Sequence, residues 1–166
     1  KTSNSGKIII SNGTINLLWF SGSTNLRLRT SGDNNWTINS CNDSQWHHYF
    51  FSSVGGECTL WQDGTDKGTQ TLGGSFSWNG LNQHASFRDS NHQIDELVMW
   101  STAEGSAKMS EMWNSGTVAR EEDNTNTLAL FHFDDSSGSI AVDSSPVGSD
   151  ITMSGSYDWP TGKVPG

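Results

Sequence analysis

Any chemistry in this chain would come from its carboxylates, histidines and tryptophans. A retaining glycosidase holds two carboxylates about 5 Å apart across the bond it cuts, and a strand supplies such a pair from alternate positions on one face. The best match is Asp95-Glu96, but these residues are adjacent, so on a strand they point to opposite faces. His47 and His48 are adjacent too and diverge for the same reason. His84 and His92 sit in loop-like sequence without cysteines or carboxylates at zinc spacing. No Ser-His-Asp order stands out, so the sequence predicts structural histidines and no catalytic residues.

Seven of the eight tryptophans divide into two groups. Trp19, Trp78 and Trp159 lie at or near loop-like stretches, where an exposed ring could stack on a sugar. Trp46, Trp61, Trp100 and Trp113 fall inside periodic segments and are expected to fill a core. Cys41 and Cys58 lie on neighbouring predicted strands. They could form a disulfide if their Cα atoms lie within about 7 Å, or remain two buried thiols. Three Asn-x-Ser/Thr sequons begin at Asn12, Asn35 and Asn42, a number that chance explains in a chain so rich in Asn, Ser and Thr.

The elements that must position these residues are short strands. From Gln45 to Gly64, two aromatic and β-branched runs flank Val54-Gly55-Gly56, a hairpin signature. Along the first run Trp46, His48 and Phe50 would share one face, and His47, Tyr49 and Phe51 the other. Large groups on both faces suggest a strand in the middle of a sandwich. Further strands are expected at 7–11, 14–20, 25–30, 36–40, 65–72, 94–100, 128–133 and 151–153. Ser106–Trp113 is the best helix, with Ser106 as its cap, Met109, Met112 and Trp113 on one face, and Asn114-Ser115-Gly116 ending it. Residues 119–127, polar and acidic, read as an exposed linker.

Composition agrees. At 166 residues the chain fits one domain with a core of its own. Its wealth of Gly, Ser, Asn and Thr suits many tight turns between two sheets. A net charge of −9 argues against nucleic acid, which needs a basic face, and against an anionic membrane surface. The charge is compatible with Ca²⁺, neutral glycans or simple solubility. No apolar run approaches the roughly 18 residues of a membrane span, and no signal peptide is visible. The start at Lys1, without Met, suggests a processed or cropped chain.

Trp46-His47-His48 followed by an alternating strand and then Leu60-Trp61-Gln62-Asp63-Gly64 resembles the WHHVA…LYVDG hairpin of laminin-G-like domains, members of the concanavalin A-like jelly rolls. Gln93-Ile94-Asp95-Glu96-Leu97-Val98-Met99-Trp100 is similar to their IDEVRIW strand. The stretch Ser106–Gly116 is similar to the helical turn that follows it. The family's usual opening pattern lies instead near the C-terminal end, in Leu128–Gly138, Val142-Asp143-Ser144-Ser145 and Gly148–Ile151. Lys1–Ile9 resembles the family's interior. The order therefore looks rotated, with 128–166 matching the family's N-terminal strands. The explanations are a permuted domain, a window from a tandem array, or a domain completed by strands of a neighbouring chain.

The resemblance implies an all-β, two-sheet antiparallel jelly-roll sandwich with one short helix, spanning 1–166 as a single domain. It also implies a Ca²⁺ site at Asp95, Asp143 and Asp150, the positions matching one found in parts of the family. The alternative for Asp143 and Asp150 is an Asx-turn, and for Asp95 a strand end. Such folds host many functions. The role expected first is a non-catalytic structural or interaction module of an extracellular or virion surface assembly, an oligomer of like chains. The alternative is a Ca²⁺-assisted carbohydrate-binding module taking glycans at Trp19, Trp78 or Trp159.

Overall fold

The computed structural model describes residues 24–29, 32–39, 43, 45–73, 95–121, 126–153 and 159 in full, and the backbone of 7–11 and 17–20. Among the described residues the chain is all-β, with antiparallel sheets and one short α-helix. It divides into two compact units, Lys1–Asn91 and His92–Gly166.

In the first unit, β1 (Lys7–Ser11), β2 (Leu17–Phe20), β3 (Asn25–Arg29) and β4 (Asp33–Thr37) form a sheet in sequence order. Alternation decides which side is covered. Leu26 and Leu28 of β3 are buried while Arg29 is exposed, and Asn34 and Trp36 of β4 are buried between exposed neighbours. In register, Leu26 pairs with Trp36 and Leu28 with Asn34. The buried Asn34 amide donates to the Leu28 carbonyl at 3.3 Å.

A second sheet holds β5 (Tyr49–Val54), β6 (Glu57–Gln62) and β7 (Thr65–Thr71) in that order. Gly55 and Gly56 close the β5–β6 hairpin with φ of +59° and +87°, the mirror-image turn that matches strand twist and that L side chains adopt poorly. Cys58 and Leu60 of β6, with Leu72, join Leu26, Leu28, Trp36 and Ile38 in one core, and Tyr49 and Phe51 pack against it. The two sheets thus form a sandwich in this unit. Phe50 points the other way, edge-on to Trp61 with ring centroids 5.8 Å apart. Both faces of β5 are apolar, as expected. Among the described residues, however, β6 and not β5 is the central strand of its sheet. β4 also begins at Asp33 and not Trp36, because Asn34 is drawn inward opposite Leu28.

In the second unit, β8 (Leu97–Trp100) pairs with β9 (Thr127–Phe131), and β10 (Ile140–Ala141) with β11 (Ile151–Thr152). Helix α1 spans Ser106–Trp113 and buries Met109 and Met112. Its N-cap is Gly105, without a side-chain cap bond, and not the expected Ser106. Asn114, in the left-handed conformation, caps the other end and donates its backbone N–H to the Ser110 carbonyl. The expected exposed linker needs correction at both ends. Ala119 N–H bonds to the Met112 carbonyl, Glu121 is 5 % exposed and pairs with Lys108 at 2.8 Å, and Thr127 is buried in β9. Residues 122–125 lie outside the described residues. No helix among the described residues is long and apolar enough to cross a membrane.

One polar contact ties the two sheets of the first unit. Buried Trp36 donates its indole N–H to the carbonyl of Gly68 at 2.9 Å. Trp36→Phe keeps most of the ring's bulk while removing the donor. Unfolding in denaturant is expected to show a loss of about 1–3 kcal/mol. Val54→Ala, at an exposed site, is expected to change stability by no more than about 0.5 kcal/mol.

Candidate functional site

The site that gathers exposed aromatic and charged groups lies in the first unit, where β6 turns into β7. Asp63, with φ of +51°, opens that turn and faces back toward the residues entering β5. Its N–H donates to the His48 carbonyl at 3.0 Å, and its Oδ1 accepts the His48 N–H at 2.9 Å. Its Oδ2 lies 2.7 Å from Nδ1 of His47. The other ring nitrogen of His47 lies 3.1 Å from Oδ1 of Asp43. Asp43 Oδ1 also accepts the Gln45 N–H at 2.9 Å, an Asx-turn. A histidine is therefore clamped between two carboxylates. Burial alone would lower the His47 pKa, but the two carboxylates outweigh it and raise it.

Trp46 immediately precedes the clamped His47 in the chain. The alternating pattern places it in the core, yet it is 38 % exposed. The reason is local: β5 starts at Tyr49, so Trp46, His47 and His48 precede the paired strand. Alternation nonetheless persists, since His47 tilts toward Tyr49 and His48 toward Phe50. The same end of the sheet carries Gln62, fully buried, whose side-chain oxygen accepts the Asn39 N–H at 2.7 Å. Lys67 Nζ reaches the Asn39 side-chain oxygen at 3.2 Å. An exposed indole in a segment that also presents a partly exposed carboxylate is the kind of surface on which a polyhydroxyl ring stacks and hydrogen-bonds.

The sequence-derived candidates are distributed otherwise. Trp19 lies in β2, opposite Arg27 and Ile8, and its side chain is outside the described residues, as are Trp78 and Cys41. Trp159 is half-buried and donates its indole N–H to the Gly138 carbonyl at 2.9 Å. Cys58 carries a buried free thiol, its pKa pushed up to about 12 by burial.

Asp143 and Asp150 do come together: Asp150 Oδ1 accepts the Asp143 N–H at 2.9 Å. Asp143 itself is buried, and both of its oxygens accept backbone bonds. Its Oδ1 accepts the N–H groups of Leu130 and Ser145, each at 2.9 Å, and its Oδ2 that of Ser149 at 2.8 Å. Burial would raise its pKa, but the backbone donors prevail and hold it below the usual carboxylate range. Asp143 thus fits the Asx-turn alternative, pinning the Ser145–Ser149 loop to β9. Among the described residues no three His, Cys, Asp or Glu side chains converge as a metal site.

Asp95 precedes β8, and its neighbour Glu96 turns away from solvent at φ +51° to meet His132 Nδ1 at 2.7 Å. The second oxygen of Glu96 is buried without a hydrogen-bond partner among the described residues, and burial raises this carboxyl's pKa despite His132. Sequence patterns do not reveal this pair because 36 residues separate its members. The Asp43–His47–Asp63 clamp escapes them for a related reason, although Asp63-Gly64 is visible as a turn.

No family model matches the chain, and no curated protein matches it. Among solved structures it is similar to a 1.50 Å crystal structure from Bacteroides ovatus of a protein provisionally described as carbohydrate-binding, with a TM-score of 0.59 and 11 % identity. The match covers 93 % of this chain and 51 % of the other, so the chain spans about half that protein's length. At this identity the likeness shows the fold alone, an all-β antiparallel architecture.

Because Asp143 binds three backbone donors, Asp143→Ala is expected to cost about 2–4 kcal/mol, read by thermal unfolding, with EDTA leaving the wild-type midpoint unchanged. A lowered pKa contributes stability above the ordinary value that disappears as pH falls. Wild type should therefore lose stability below about pH 4, and the variant should lose less over that range.

Proposed function

We propose that the chain is a non-catalytic carbohydrate-binding module whose ligand stacks on Trp46 and hydrogen-bonds to the Asp43 carboxylate. The observation that carries this reading is that Trp46 is exposed within the Asp43–His47 segment, where the Asp43 carboxylate is held by His47 and the Gln45 N–H. Burying that indole against a sugar face removes apolar surface from water, and Asp43, with a side chain 40 % exposed, has lone pairs left for hydroxyl donors.

The Bacteroides ovatus protein of similar fold supports a glycan-binding role over the fibre, tail or decoration role that the sequence first suggests. The motifs around Trp46 and Leu97–Trp100 support assigning the sandwich to the concanavalin A-like, laminin-G-like jelly rolls. A net charge of −9, together with Asp43 and Asp63 at the site, favours neutral glycans over anionic ones through simple repulsion.

A glycan array on the intact chain, followed by calorimetry on the best neutral oligosaccharide, tests this. Trp46→Ala is expected to weaken binding at least about tenfold, or roughly 1.4 kcal/mol, and Trp159→Ala to leave it unchanged. An array without neutral ligands, or a Trp46→Ala protein that binds as wild type, would overturn the reading.

A further inference from the structure

His47 is satisfied in only one protonation state. A carboxylate is an acceptor at both oxygens, so each ring nitrogen that faces one must carry a proton, and an imidazole protonated at both nitrogens is the cation. Nδ1 faces Asp63 at 2.7 Å and Nε2 faces Asp43 at 3.1 and 3.3 Å. A neutral ring would aim a lone pair at one of these carboxylates.

The two anchors are unequal. Asp63 is fixed by the turn, through its N–H to the His48 carbonyl and its Oδ1 to the His48 N–H. Asp43 is exposed and held by His47 and by the Gln45 N–H. Loss of one proton would therefore leave the short Asp63 contact and release Asp43.

We propose that doubly protonated His47 is the positioning residue of this site, holding Asp43 and, through the Asp43–Gln45 turn, the adjacent Trp46 in the arrangement that binds ligand. Glycan binding is then a pH-dependent property, and this rests on the carbohydrate reading above.

The sign follows from the clamp. The carboxylates raise the His47 pKa against the opposing effect of burial. The clamp is therefore intact below the ordinary histidine value of about 6.5 and is lost as pH rises through the raised one. Asp43 stays ionised throughout this window, because the Gln45 N–H and His47 lower its pKa. His48, the other titrating neighbour of Asp63, has its pKa lowered by burial, with Asp63 opposing, and stays neutral as His47 titrates. Among the described residues, Asp43 and Asp63 are the charged groups that face the His47 ring, with Tyr49 packed beside it.

The test begins without sugar. NMR of the intact chain from about pH 5 to about pH 9 would follow the His47 imidazole and the Trp46 indole N–H, the latter assigned with Trp46→Phe. Both signals are expected to move with one midpoint above about 6.5, and Asp43→Asn is expected to lower that midpoint and uncouple Trp46. A Trp46 signal that stays fixed while His47 titrates, or a His47 midpoint at or below the ordinary value, would overturn the proposal. With a neutral oligosaccharide from the array, wild-type affinity is expected to fall about tenfold per pH unit past the midpoint. His47→Gln should bind weakly with a flat profile. Wild-type binding that is flat with pH yet abolished by Trp46→Ala would sink the positioning role and leave the carbohydrate reading standing. Two resonances that titrate together in a protein that binds no glycan would do the reverse.

Discussion

The first unit depends on a steric and polar constraint at Trp36. A large indole buried between two sheets contributes much of the apolar contact that holds them together, but it brings an N–H that must find an acceptor. The carbonyl of Gly68 supplies it. Gly68 adopts φ +97° in the middle of β7, a conformation that side chains resist. Gln62 repeats the pattern at the sheet's end, fully buried yet bonded to Asn39. Each contact joins a residue before the central hairpin to one in or after it. Together they set how β4 and the Ile38-Asn39 segment after it lie over β6 and β7, and hence where the β6–β7 turn stands.

That turn is where Asp63 projects toward the chain entering β5. The clamp on His47 is thus a consequence of hairpin register: Tyr49 pairs with Gln62, which brings the residues just before β5 beside those just after β6. On the proposed reading Trp46 is a ligand platform, and a surface tryptophan on a loose loop would be a poor one, because a ligand would have to order it on binding. Here Trp46 is bracketed by an Asx-turn on one side and by a doubly bonded histidine on the other. The second unit uses carboxylates differently. Asp143 serves the backbone, and Glu96 is turned inward to His132 on a left-handed backbone. Asp143 and Glu96 thus act as internal fasteners and not as surface charge.

Much of the framework is legible in the residues alone. Short apolar and alternating runs identify β1 and β3, Gly55-Gly56 identifies the central hairpin, and the spacing of Met109, Met112 and Trp113 identifies α1. Local chemistry is less legible where a side chain has two plausible partners. Alternation continues through Trp46 and so points it into the core, although strand pairing begins three residues later. Propensity prefers Ser106 to Gly105 as a cap, a weak prior when a backbone can start a helix without a side-chain bond. Residues 119–127 read as exposed because they are polar and acidic, and only the position of Lys108 explains why Glu121 is buried.

The sequence by itself therefore determined the all-β class, the hairpins and the helix, since these follow from periodicity and turn chemistry within a few residues of one another. Tertiary structure alone decided which carboxylates meet which histidines. Asp63 reaches His47 across a hairpin, 16 positions away, and Glu96 meets His132 across 36 positions. Such encounters are set by strand register and by the cost of burying an unpaired polar group, neither of which is written in local spacing.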